Sequence, residues 1–169
     1  MTTQPRITGS CGARATFPMA NSVQHDLSIL LAAKTGLVYL TANDWTLISD
    51  KATRLRFEAG EYLIHRGEKI HGVYLLLKGQ ASVLIPSQNT SLAIGAGEIC
   101  GEISLLDQQP ATADVVATQA VEAYFVDRPT LQSLFELFPH LGSRFYQSVA
   151  AILSRRLREV IGPLKKARP

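Results

Sequence analysis

The apolar residues of this chain change their period twice, and few folds accommodate both changes. Up to about Thr53 they recur at helical spacing, from Arg54 to Asp127 they sit in short strand-like runs, and beyond Asp127 helical spacing returns. The middle runs are Leu55–Phe57, Tyr62–Ile64, Val73–Leu77, Ala81–Ile85, Leu92–Ile94, Val115–Ala117 and Ala120–Val126. Turn residues separate them: Gly60, Gly67, Gly79, Pro86-Ser87-Gln88-Asn89 and Gly95-Ala96-Gly97. About eight short strands at this spacing predict a small antiparallel jelly-roll or β-roll barrel. The fold class is mainly β with flanking helices, N-terminal helices before the barrel and two C-terminal helices after it.

The flanks carry helix signals of their own. Leu27, Leu30 and Leu31 share one helical face, and Thr41 is placed to N-cap a second helix that buries Trp45 and Ile48 and ends near Thr53. After Asp127, Arg128-Pro129 suits a first turn, Leu131, Leu134, Phe135 and Phe138 form a stripe, and Pro139 stops it. A last helix runs from Leu141 to Ile161 and ends at Gly162-Pro163. Residues 1–22, rich in Thr, Ser, Gly and Pro, are expected to form a flexible leader, 23–162 the ordered domain, and 163–169 a basic tail. A chain of 169 residues supports one such domain with a real core. No apolar run reaches the ~20 residues of a membrane span, and Met1–Met19 lacks the apolar stretch of a secretory signal, so a cytoplasmic location is expected.

Within the strand region, Gly97-Glu98-Ile99-Cys100-Gly101-Glu102-Ile103-Ser104-Leu105-Leu106, followed by Pro110-Ala111-Thr112-Ala113, reads as strand, glycine turn, one helical turn, loop and strand. A Gly-Glu pair opening a short helix sets free backbone N–H groups beside one carboxylate, an arrangement suited to a ligand with an anionic group and a hydroxyl. This segment resembles the phosphate-binding cassette of the cyclic nucleotide-binding domain family, found in catabolite-activator-type transcription factors and protein kinase regulatory subunits. Phe57-Glu58-Ala59-Gly60-Glu61, Arg66-Gly67-Glu68, Val73 through Gly79 and the closing helices extend the likeness over residues 27–161. The resemblance implies a cAMP-binding-like regulatory domain for signalling, with Gly101, Glu102, Ile103, Ser104, Ala111, Thr112 and Ala113 lining a ligand site. Glu102 would bind a ribose hydroxyl. The family's arginine, which holds the cyclic phosphate, is replaced here by Ala111. Asp114 falls on the face of Thr112 by strand alternation, and strand twist leaves its direction open; turned inward, it would repel a phosphate. A cyclic nucleotide or related small anion is therefore expected to bind weakly.

Nothing in the chain supports catalysis. His65 and His71 flank the Gly67 turn without a third ligand at metal-site spacing, so no metal site is expected. No nucleophile elbow, Walker loop or dinucleotide fingerprint occurs, and no catalytic residue or cofactor is assigned. Cys11 and Cys100 lie too far apart in sequence to suggest a Cys-x-x-Cys site, and Cys100 is read as a small buried apolar residue. The net charge is +3, but from Arg144 onward seven cations face Glu159 alone, and these are read as a solvated helix face and tail. The last helix carries a stripe in steps of three and four, and its second half, Val149, Ile152, Leu153, Leu157 and Val160, is expected to form a seam for a homodimer or a partner protein. Only six residues follow Pro163, so a recognition helix and sequence-specific DNA binding are not expected. Two readings remain: a ligand sensor that repositions its closing helices, and a ligand-free module that docks through the last helix.

Overall fold

In the computed structural model, which describes residues 14–15, 20–85 and 90–162, the elements change type where the apolar period changes. A two-residue strand, β1 (Arg14–Ala15), precedes the helices α1 (Ala20–Ala32) and α2 (Ala42–Lys51). The strands β2 (Thr53–Phe57), β3 (Tyr62–Ile64), β4 (Gly72–Lys78), β5 (Gln80–Ile85), β6 (Thr90–Gly95) and β7 (Ile99–Cys100) follow. Then come the short helix α3 (Glu102–Asp107), strands β8 (Asp114–Ala117) and β9 (Val121–Asp127), and helices α4 (Arg128–Leu137) and α5 (Pro139–Ile161). All strand pairs are antiparallel, in two sheets of order β1-β2-β9-β4-β7 and β3-β8-β5-β6.

Strand alternation on β4 and β9 builds the layers, because both faces of these strands are covered. Val73, Leu75 and Leu77 of β4, with Tyr124 and Val126 of β9, join the helices in one core. Their alternates, Leu76, Val121 and Ala123, join Leu55, Phe57, Ile64, Val115 and Ala117 in a second core between the sheets. Leu30, Trp45, Ile48, Leu131, Leu134, Leu141, Phe145, Val149 and Ile152 are the helices' share of the first core. Ionic contacts orient the helices on it. Arg54 on β2 donates to buried Asp26 of α1 at 2.7 Å, and Tyr124 donates its hydroxyl to the same carboxylate at 2.8 Å. Arg144 of α5 grips both oxygens of buried Asp44 on α2 at 2.7 Å each.

Four expectations are revised. Strand β1 pairs with β2 and α1 begins at Ala20, both inside the segment read as a leader. Backbone pairing of a two-residue polar strand leaves no apolar pattern to read. The remainder of 1–22, the Pro86–Asn89 turn and the 163–169 tail lie outside the described residues. The β region is a two-sheet roll and not a closed barrel: no described pairing joins the sheets, whose edges include the two- and three-residue strands β7 and β3. Pro139 opens α5, two residues before the expected start, since a proline is tolerated where a helix has no N–H to satisfy. Among the described residues no helix is long and apolar enough to cross a membrane.

The Thr41 cap is present as a full capping box: the Asp44 amide donates to the Thr41 hydroxyl, and the Thr41 amide donates to Asp44 at 2.8 Å. Burial pushes the Asp44 carboxyl up, but hydrogen bonds from Arg144 and Thr41 outweigh it and hold the group below its usual range. A carboxyl depressed on folding contributes stability that is complete above about pH 4 and is lost as pH falls through the folded value. Asp44→Asn keeps an acceptor for the Thr41 amide but loses the charge that Arg144 pairs with, and should therefore cost on the order of 1 kcal/mol at pH 7. In urea titrations its deficit against the natural protein should shrink below about pH 4.

Candidate ligand pocket and its cassette

Between the second sheet, the α3 segment and the end of α5 lies a cavity of about 930 Å³. Strand residues Val83, Ile85, Leu92 and Val115 form its floor, with Ile64 and Ile70 at one side. The second half of α5 supplies the opposite wall through Leu153, Arg156, Leu157 and Val160. Gly101, Glu102, Ile103, Ser104, Ala111, Thr112 and Ala113, the seven site residues expected from the sequence, all line this one cavity. Gly101 makes the approach possible. Its φ of 89° is left-handed, and a Cβ there would lie 3.0 Å from the Gly72 carbonyl oxygen. The first-turn amides of α3 have no intrahelical acceptor.

The cations of the pocket come from places the sequence did not mark. Arg156 donates to Glu102 at 2.5 Å and to the Ile99 carbonyl at 2.7 Å; Glu102 is almost wholly buried, its side chain 3% exposed against 13% for Arg156. The Arg156 Nε is buried with no partner among the described residues. The neighbouring Arg155 donates to Glu98 at 3.1 Å. Two consecutive cations of α5 thus hold two carboxylates around the glycine turn. At the other end of α3, Arg128, the first residue of α4, donates to the Ser104 carbonyl at 2.9 Å and to that of Leu105. The cassette is fastened to α5 through Glu102 and to α4 through its last carbonyls.

Three assignments change accordingly. Arg144, Arg155 and Arg156, read as part of a solvated basic stretch, are paired with Asp44, Glu98 and Glu102. Asp114 is absent from the pocket lining; its carboxylate accepts from the Arg66 backbone amide at 2.8 Å, which settles the direction left open by strand twist. Val149 and Ile152 of the expected seam are buried in the chain's own core, whereas Leu153, Leu157 and Val160 stand at the pocket. Arg66 was missed as a pocket residue. It lines the cavity from the turn after β3, and its guanidinium has no partner among the described residues. Cys100 is buried in the wall, where burial first and the Glu102 charge second push its thiol far up, so it is an unreactive apolar surface.

Residues 54–137 match the profile of the family described as the cyclic nucleotide-binding domain. The chain is 29% identical over 135 residues to cyclic GMP-binding protein C of Dictyostelium discoideum, covering 71% of this chain and 5% of that protein. It is 30% identical over 110 residues to the cyclic AMP receptor protein of Thermus thermophilus, covering 63% of this chain and 49% of the relative. It therefore spans less than half the length of each of these relatives. A crystal structure of a cyclic nucleotide-binding domain from Methylobacillus flagellatus superposes with a TM-score of 0.73 over 88% of this chain and 86% of that one. At 20% identity this likeness concerns the fold.

Removing one partner of a buried ion pair leaves an uncompensated charge, which costs about 3 kcal/mol. Arg156→Met should destabilise the protein by that order in urea unfolding. In Glu102→Gln/Arg156→Met the loss should be at least ~1 kcal/mol smaller than the sum of the single losses, because the two residues act as a unit. Additive losses would mean that the pair contributes no coupling.

Proposed function

Because the chain belongs, through residues 54–137, to the cyclic nucleotide-binding domain family, we propose that it is a non-catalytic sensor whose pocket occupancy is read out by α5. The observation that carries this reading is that one helix both walls the pocket and holds the cassette carboxylate. A ligand meets α5 at Leu153, Leu157 and Val160, and a ligand hydroxyl donated to Glu102 would in addition compete with Arg156 for that carboxylate and can displace it. That displacement is within reach of a small ligand, since the pair already leaves the buried Arg156 Nε unsatisfied, at a cost on the order of 1–3 kcal/mol. Release of Arg156, or a shift of Leu153, Leu157 and Val160 against an apolar ligand, would then move the end of α5 relative to the cassette. A cytoplasmic location, expected from the sequence, belongs to the same reading.

Cyclic nucleotides are poor ligands on this account. Ala111 offers the phosphate no charge, and the loss of a charge-assisted guanidinium–phosphate contact removes ~1.5–3 kcal/mol. That corresponds to roughly tenfold to several-hundred-fold weaker binding. Calorimetry with cAMP and cGMP should give dissociation constants well above the micromolar range, and Ala111→Arg should tighten them. Asp114 need not be changed with it, because its carboxylate is engaged by the Arg66 amide. Submicromolar binding by the natural sequence would defeat this account of the site.

A second reading is favoured by one observation: Leu157 is 58% exposed and Ile161 41% exposed on the last turns of α5. They are apolar residues suited to a second copy of the chain or a partner helix. With Arg155 and Arg156 internally paired, less like charge opposes such an approach than the sequence suggests. Light scattering should then show a concentration-dependent dimer that Leu157→Glu abolishes while circular dichroism is unchanged. A monomer at high concentration and high salt would remove the homodimer.

A further inference from the structure

We infer that the natural occupant of the pocket is an amphipathic monoanion, a carboxylic acid with a medium-length hydrocarbon chain, anchored by Arg66; this rests on the sensor reading above. The wall is aliphatic over most of its extent, with Ile70, Val83, Ile85, Leu92, Leu153 and Val160 converging on it from both sides. Burying hydrocarbon is what such a surface does best. Its charged residues among those described are Arg66, Glu102 and Arg156, and the last two neutralise each other. One uncompensated cation is left. Arg66 is exposed at the rim, and its backbone is held in place, since its own amide donates to the Asp114 carboxylate. The next residue, Gly67, donates to the Ala111 carbonyl, and Ala111 donates back to Glu68, each at 2.8 Å.

A planar guanidinium at the mouth of an apolar cavity matches a planar carboxylate at the end of an apolar chain. The head stays at the rim, where it keeps part of its hydration, and the chain replaces water against the aliphatic wall. A sugar and a base would bury several polar groups against surfaces that offer them few partners. At about 930 Å³ the cavity has room for such a chain without unfolding any wall.

Calorimetry with octanoate, decanoate and dodecanoate below their micelle concentrations, alongside decanol, tests the inference on the full chain. Affinity should rise about fourfold for each methylene added. Arg66→Met should weaken decanoate at least tenfold and leave decanol within about twofold. Circular dichroism serves as the folding control, and Arg66→Lys, which keeps the charge, should retain part of the affinity. No heat with millimolar decanoate at either of two well-separated temperatures, affinity that does not change with chain length, or equal losses for acid and alcohol would each overturn it. If the acids fail but the purified protein, once denatured, releases a different small molecule to mass spectrometry, the ligand class is wrong and the sensor reading stands. If the acids fail and nothing is released or bound, both fall.

Discussion

The ion pair between Arg156 and Glu102 is the contact on which the arrangement of this pocket depends. Two charges almost removed from water are tolerated because the pair is short and Arg156 also reaches the Ile99 carbonyl. The Arg155–Glu98 contact one residue away repeats the connection on the other side of the glycine turn. Together they set where α5 crosses the cavity, and so they place Leu153, Leu157 and Val160 as its wall. They also cancel the charge of the cassette, which turns a site built around a carboxylate into an aliphatic cavity where, among the described residues, Arg66 is the one cation without a partner.

Below that contact, the two halves of α5 are held by different physics. Leu141, Phe145, Val149 and Ile152 are packed into the core shared with β4, β9 and the other helices, and Arg144 is clamped to Asp44. This half cannot move without opening the core. From Leu153 onward the helix has few buried side chains, and it is held mainly by the two arginine contacts. A helix anchored by packing at one end and by a displaceable pair at the other is suited to moving in part. Arg128 gives the cassette a second link, to α4, through the Ser104 carbonyl.

Most of the architecture was legible because it is written in apolar periodicity. The Thr41 cap, the burial of Trp45 and Ile48, the strand runs and the close of α5 near Ile161 all follow from local pattern. The seven cassette residues were legible too, through the glycine turn and its likeness to a known family, and they meet in one cavity. What stayed hidden was of long range. Arg156 lies 54 residues from Glu102, and nothing local distinguishes it from Arg158, which is exposed. Arg66 has the look of an ordinary turn residue until the β3–β8 pairing brings it to the pocket. Val149 and Leu157 share a helical stripe, yet one is buried and the other is 58% exposed, because the core ends between them. Strand closure was unreadable for a related reason: alternation reports which face is covered and not which edge is paired.

The end of α5 is fastened by the cassette carboxylate. Hydrogen exchange along α5, compared between the natural protein and Glu102→Gln, tests this most directly. Amides from Leu153 to Ile161 should exchange faster by more than the stability lost in urea unfolding explains, whereas those from Leu141 to Ile152 and those of α2 should change by no more than that loss. Equal protection of the two proteins at the end of α5, or a uniform loss along the whole helix, would contradict it.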